Sequence, residues 1–123
     1  MRSLIFLNDS PTALIKKGEI LKGYFNPNNI FSEIDYVISV EGALDSQALQ
    51  SMSGSANVRA YYLNNPRPFF MWSLGWARFR LKSVARKLMK SSWFIRPSII
   101  RSVNPFVESG IAVSLARMTG LPL

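Results

Sequence analysis

At 123 residues, with 48% hydrophobic and only 18% charged side chains, the chain has the composition of one packed domain or part of one, which excludes a natively unfolded tail. Fifteen Lys and Arg against seven Asp and Glu give a formal charge of +8, a balance that points first to an anionic partner such as nucleic acid or a membrane surface. With neither Cys nor His, the chain has no thiol nucleophile, disulfide, Ser-His-Asp triad, imidazole base or thiolate or imidazole metal site, so any chemistry runs on carboxylates, hydroxyls, Lys, Arg or backbone groups.

In chain order, Leu4 to Leu7 is a short apolar run ended by Asn8-Asp9-Ser10-Pro11 and predicts a buried strand. The run is too short for a signal peptide, and nothing in the chain approaches the ~18 apolar residues of a membrane span, so a cytoplasmic location, either soluble or peripheral on the inner membrane, is expected. Gly18 to Ser32 predicts a short helix around Glu19 to Tyr24, interrupted by an Asx and Pro turn at Asn26-Pro27-Asn28-Asn29. Ile34 to Val40 is β-branched and predicts the second strand, ended by Glu41-Gly42. Val58 to Leu63, closed by Asn64-Asn65-Pro66, predicts the third, and Ser98 to Val103, left at Asn104-Pro105, the fourth.

Phe69 to Lys90 predicts a long helix and Phe106 to Thr119 another, the latter with Gly120 as its left-handed cap before Pro122. Strands alternating with helices imply right-handed crossovers and an α/β fold with a Rossmann-like parallel sheet. Leu121-Pro122-Leu123 reads as the start of a fifth strand, so the 123 residues are expected to form a partial domain.

The charge is unevenly placed. Residues 1–45 carry four basic and six acidic side chains, whereas Ser46 to Val107 holds ten basic residues and no acidic one. On a helix of ~100° per residue, Phe70, Leu74, Ala77, Leu81, Val84, Ala85 and Leu88 form one stripe, the side expected to meet the sheet. The opposite side carries Trp72, Trp76 and Phe79 with Arg80, Arg86, Lys87 and Lys90, the makeup of an interfacial helix whose cations meet anionic lipid. Two plainer readings stand beside it: Gly75 breaks the helix and the aromatics pack on the core, or the aromatics contact another segment.

Three segments together resemble a known family. They are Lys17-Gly18-Glu19 after the first strand, Phe25-Asn26-Pro27-Asn28-Asn29-Ile30-Phe31-Ser32-Glu33-Ile34 leading into the second, and Ile99-Ile100-Arg101-Ser102-Val103-Asn104-Pro105, followed by Gly110 through Pro122. The chain resembles the N-terminal, acceptor-side part of a GT-B glycosyltransferase of the family 4 or group 1 type. That resemblance implies two Rossmann-like domains in the whole enzyme, of which the C-terminal, donor-binding one is absent from these residues. It also implies retaining transfer of a sugar from a nucleotide-sugar donor, a co-substrate and not a bound cofactor, to a saccharide or lipid-linked acceptor. The paired-glutamate motif of such enzymes is missing, so no catalytic residue and no metal site is expected, and the chain alone is expected to be inactive.

In an open α/β sheet, ligands bind outside the carboxyl ends of the strands. Asp9, Glu41 and Asn104 follow predicted strands there, and the resemblance places Lys17, Gly18 and Glu19 in a loop near donor phosphates and acceptor. Asp9 and Glu41 either orient an acceptor hydroxyl or serve as helix caps and loop anchors. Gly18 either brings its N–H to a phosphate or makes an ordinary turn beside a solvated Lys16-Lys17 pair. Asn104 reads more simply as a turn and cap residue. Two other classes compete with the transferase. One is a small basic nucleic-acid-binding protein, weakened by the lack of any helix-turn-helix, zinc-finger or RNP-like motif. The other is a non-catalytic membrane-surface or scaffold module.

Overall fold

The computed structural model describes residues 1–18, 20–40, 45–63, 77–103 and 107–123. Four strands, β1 (Arg2–Leu7), β2 (Glu33–Ile38), β3 (Asn57–Tyr62) and β4 (Ile99–Ser102), form one sheet in the order β3-β2-β1-β4, with every pairing parallel. These are the four apolar, β-branched segments expected from the sequence. The central pair is buried on both faces, which is why Leu4 to Leu7 of β1 and Tyr36 to Ile38 of β2 are apolar without alternation.

Helices α1 (Pro11–Lys16) and α2 (Ser46–Ser53) accompany one face; α3 (Ala77–Lys90) and α4 (Val107–Thr119) cover the other. On the first face, Ile5, Leu7, Ile34, Tyr36 and Ile38 pack with Leu14 of α1, with Leu49 and Met52 of α2, and with Phe25. On the second, Leu4, Phe6, Val37 and Ile100 pack with Ala85, Leu88, Ile111, Ala112 and Leu115. The chain steps from β1 through β2 to β3 in one direction and then places β4 on the far side of β1. The architecture is therefore an α/β, Rossmann-like, doubly wound sheet.

The helices start and stop for local reasons. Ser10 caps α1, its hydroxyl accepting the Ala13 N–H at 3.0 Å, with Pro11 in the first turn. Asp45 caps α2 by accepting the Gln47 and Ala48 N–H groups. Sequence reading missed both elements, because six and eight residues are too few to establish a helical period. At the end of α4, Gly120 takes φ 68° and the Leu121 N–H donates to the Ala116 carbonyl at 3.1 Å, the Schellman closure. Leu121 to Leu123 form no strand, yet the Pro122 carbonyl accepts the Ile100 N–H at 3.1 Å, alongside β4.

One expectation is corrected. The helix expected around Glu19 to Tyr24 is absent from its described part, where Ile20 to Tyr24 run as turns. Gly23 adopts φ 72° and its N–H donates to the Ser51 carbonyl, while the Phe25 N–H donates to that of Met52, so alternate backbone donors bond across to α2 and those of Tyr24 and Asn26 close tight turns onto Leu21 and Gly23. Asn26, almost fully buried, locks this segment: its amide donates to the Phe31 and Ser53 carbonyls and accepts the Phe31 N–H. The long helix expected from Phe69 is seen from Ala77 onward, and residues 69–76 lie outside the described residues.

At the amino end of the second face, strand register brings Arg2, Asp35 and Arg59 together on adjacent strands. The Asp35 carboxylate, 2% exposed, accepts two hydrogen bonds from Arg59 and one from Arg2, each 2.8 Å, and Arg2 also pairs with Glu33. Arg59 in turn lies 4.9 Å from the Trp93 ring centroid, and Trp93 packs on Tyr61. On the first face, the Tyr36 hydroxyl shares a 2.6 Å hydrogen bond with Ser53, whose hydroxyl also donates to the Leu49 carbonyl.

Two predictions follow from these buried polar groups. Asp35→Ala strands two guanidinium groups in a partly desolvated site and should cost about 3–5 kcal/mol in urea unfolding, with Arg59→Ala, which loses the more exposed partner, costing less. Burial pushes the Tyr36 phenol up from 10.0 to about 12 against the opposing effects of Ser53 and Arg101. Between those values the folded chain holds a proton that the unfolded chain has lost, so stability is full below pH 10 and falls as pH rises toward 12. Phenolate absorbance should show one tyrosine ionising at about 12 in the folded protein, and Tyr36→Phe should remove that component.

Candidate functional site

The strand order reverses between β1 and β4, so the switch-point crevice of this sheet opens where those two strands end. Asn8, Asp9 and Ser10 leave β1 there; Ser102 and Val103 leave β4 beside them, with the Val103 N–H donating to the Phe6 carbonyl. The segment 20–25 packs on the α1 and α2 face through Ile20 and Phe25 and reaches β4 at Arg101. A cavity of about 140 Å³ is lined by Tyr24, Phe25, Arg101, Ser102 and Val103.

Arg101 faces the α1 and α2 side, next to Ile5 in register. Its guanidinium donates to the Phe25 carbonyl at 3.1 Å and stands 5.7 Å from the Phe25 ring centroid. Phe25 is buried and meets Tyr24 edge to face at 5.1 Å. The Asn26 amide, bonded to α2 and to Phe31, thus sets where Phe25 sits, and Phe25 sets where Arg101 points. The Ser102 hydroxyl bonds that of Ser109 in α4 at 2.8 Å, tying β4 to the helix that follows it.

Of the residues expected at a ligand site, Asp9 and Lys17 are brought together: the Lys17 ammonium lies 2.9 Å from one Asp9 oxygen, while the other accepts the Ser10 N–H at 2.8 Å. Asp9 is therefore a loop anchor beside the cap, and Ser10 is the cap. Gly18 has φ 70° and donates its N–H to the Ile15 carbonyl, so its backbone donor is engaged in the turn that ends α1. Lys17 is itself the residue that closes α1. Glu19, Glu41 and Asn104 lie outside the described residues.

On α3 the expected division of faces is present: Ala85 and Leu88 are buried, Leu81 and Val84 half-buried against the second core, and Phe79, Arg80, Arg86, Lys87 and Lys90 exposed. Lys82 joins the exposed cations, and the helix contains no acidic residue. Trp72 and Trp76 lie outside the described residues. Among the described residues no group of acidic side chains could hold a metal ion, and no helix is long and apolar enough to cross a membrane.

Sequence reading missed Arg101, Tyr24 and Phe25 as a group. The signal was a cation inside the β-branched run Ser98 to Val103: on a strand covered on both faces, an arginine needs a polar destination. Its neighbours come from a segment 76 residues away, which no local pattern reveals. Compared with known proteins, the chain matches no family model, no curated protein and no solved structure.

Proposed function

We propose that this chain is the acceptor-side, Rossmann-like portion of a GT-B glycosyltransferase that moves a sugar from a nucleotide-sugar donor to a saccharide or lipid-linked acceptor at the inner face of a membrane. The observation that carries the reading is the β3-β2-β1-β4 parallel sheet, with the Asp9–Lys17 pair after β1 and, on the other side of the switch point, a small cavity that Arg101 of β4 lines. It supports the reading together with the three resembling segments, two of which meet here: Phe25 and Asn26 of the second arch over Arg101 of the third. A hydroxyl-rich ligand suits such a cavity, since a guanidinium and two aromatic side chains line it.

On this reading the donor domain and its catalytic carboxylates lie outside these residues, and the chain alone binds without transferring. Amide-shift titration of the isolated chain tests it: oligosaccharide acceptors should perturb Asn8 to Ser10, Lys17 and Val103, with a nucleotide sugar engaging more weakly. The reverse preference, or no response to any saccharide, overturns the reading.

The membrane location is supported by the five exposed cations of α3 at positions 80, 82, 86, 87 and 90, with Phe79 among them. Co-sedimentation should be strong with vesicles containing anionic lipid and weak with neutral ones, and changing Arg80, Arg86, Lys87 and Lys90 to Glu should abolish it. Equal pelleting with both vesicle types rules out docking through this face.

A further inference from the structure

The cavity at the end of β4 contains a cation that no carboxylate among the described residues neutralises. That cation is Arg101, whose hydrogen bond to the Phe25 carbonyl occupies one of the five N–H donors of the guanidinium. The contrast with the other half-buried arginines is direct, since Arg2 and Arg59 both end on Asp35. Arg101 is held by a carbonyl and a ring, which fix its plane without neutralising it, and its remaining donors adjoin open space. A guanidinium oriented in this way matches the paired oxygens of a phosphate group better than any neutral ligand.

Tyr24 adds a second element. It is half exposed, it lines the same cavity, and its ring is set at right angles to that of the buried Phe25. A flat, anchored ring at the rim offers an apolar face to the C–H side of a sugar whose phosphate enters beneath it.

We infer that the cavity lined by Tyr24, Phe25, Arg101, Ser102 and Val103 is a binding site for a phosphate monoester carried on a small sugar, with Arg101 holding the phosphate and Tyr24 covering the sugar ring. The inference rests on this cavity, which the transferase reading shares, and it deepens that reading by naming a phosphate as the group bound there. The two fail separately, since oligosaccharide shifts at Asn8 to Ser10 and Lys17 test the transferase reading and sugar-phosphate shifts at Tyr24 and Arg101 test this one.

The test is an amide-shift and calorimetric titration of the whole chain with three probes: a hexose 1-phosphate, inorganic phosphate and the free hexose. The hexose phosphate should perturb Tyr24, Phe25, Arg101 and Ser102 saturably, inorganic phosphate should perturb the same residues with weaker affinity, and free hexose should leave them unmoved. Arg101→Gln should weaken the hexose phosphate tenfold or more, and Arg101→Lys by less. Because Arg101 also anchors Phe25, Tyr24→Ala supplies an independent reading: it should weaken the hexose phosphate threefold or more and leave inorganic phosphate unchanged. Unaltered affinity in a folded Arg101→Gln protein, perturbation confined to α3, or hexose binding as tightly as its phosphate each overturns the site. Equal losses for both phosphates in Tyr24→Ala overturn the role of the ring.

Discussion

The register of the sheet depends on one buried carboxylate. Asp35 lies in the middle of β2, opposite Leu4 of β1 and Arg59 of β3, and its two oxygens take three hydrogen bonds from arginines on the strands at either side. A charge with 2% exposure is tolerated only when it is paired and saturated with donors. A slip of one residue in either pairing would turn Arg2 or Arg59 to the opposite face and leave Asp35 partly unpaired, a far larger penalty than the loss of an apolar contact. The arrangement aligns three parallel strands at their amino ends, and it also places Trp93: the loop after α3 closes over Arg59 and Tyr61, so the second core is sealed by an aromatic ring on a cation.

Much of this architecture was legible in the residues. Four strands, the two long helices and the Gly120 cap follow from apolar runs, helical periods and one glycine in the right place, because those signals are local. The sheet-facing stripe of α3 and its cationic outer face were readable for the same reason. What escaped the reading depends on partners distant in sequence. Helix α1 is set by a Ser10 cap and α2 by an Asp45 cap that also receives the Thr12 hydroxyl, so the two short helices support each other in space and neither carries a sufficient pattern alone. Segment 20–25 has the composition of a helix, but Gly23 and the backbone of Ser51 and Met52 redirect its hydrogen bonds.

The candidate site divides in the same way. Asp9 and Lys17 are near one another in sequence and were recognisable as a polar loop after a strand, although their mutual ion pair gives them an anchoring duty first. Arg101 was visible only as a cation in an apolar strand, and its meaning comes from Phe25 and Tyr24, delivered by a loop whose position Asn26 secures from within. A single buried amide thus connects the end of α2 to the wall of the crevice, with Phe25 as the intermediary.

The separation of the two charged groups by the sheet itself has an evolutionary consequence. Asp35 lies in register with Leu4 on the α3 and α4 face, whereas Arg101 lies in register with Ile5 on the α1 and α2 face, with β1 between their strands. On opposite faces and with no shared hydrogen-bond partner, their energetic effects of substitution are close to independent. The surroundings of Arg101 are therefore free to drift, exchanging Tyr24 or the β1 loop for other side chains, while the Asp35 cluster retains the stability that such experimentation consumes. A lineage built on this sheet can change what its crevice recognises without first relearning how to fold.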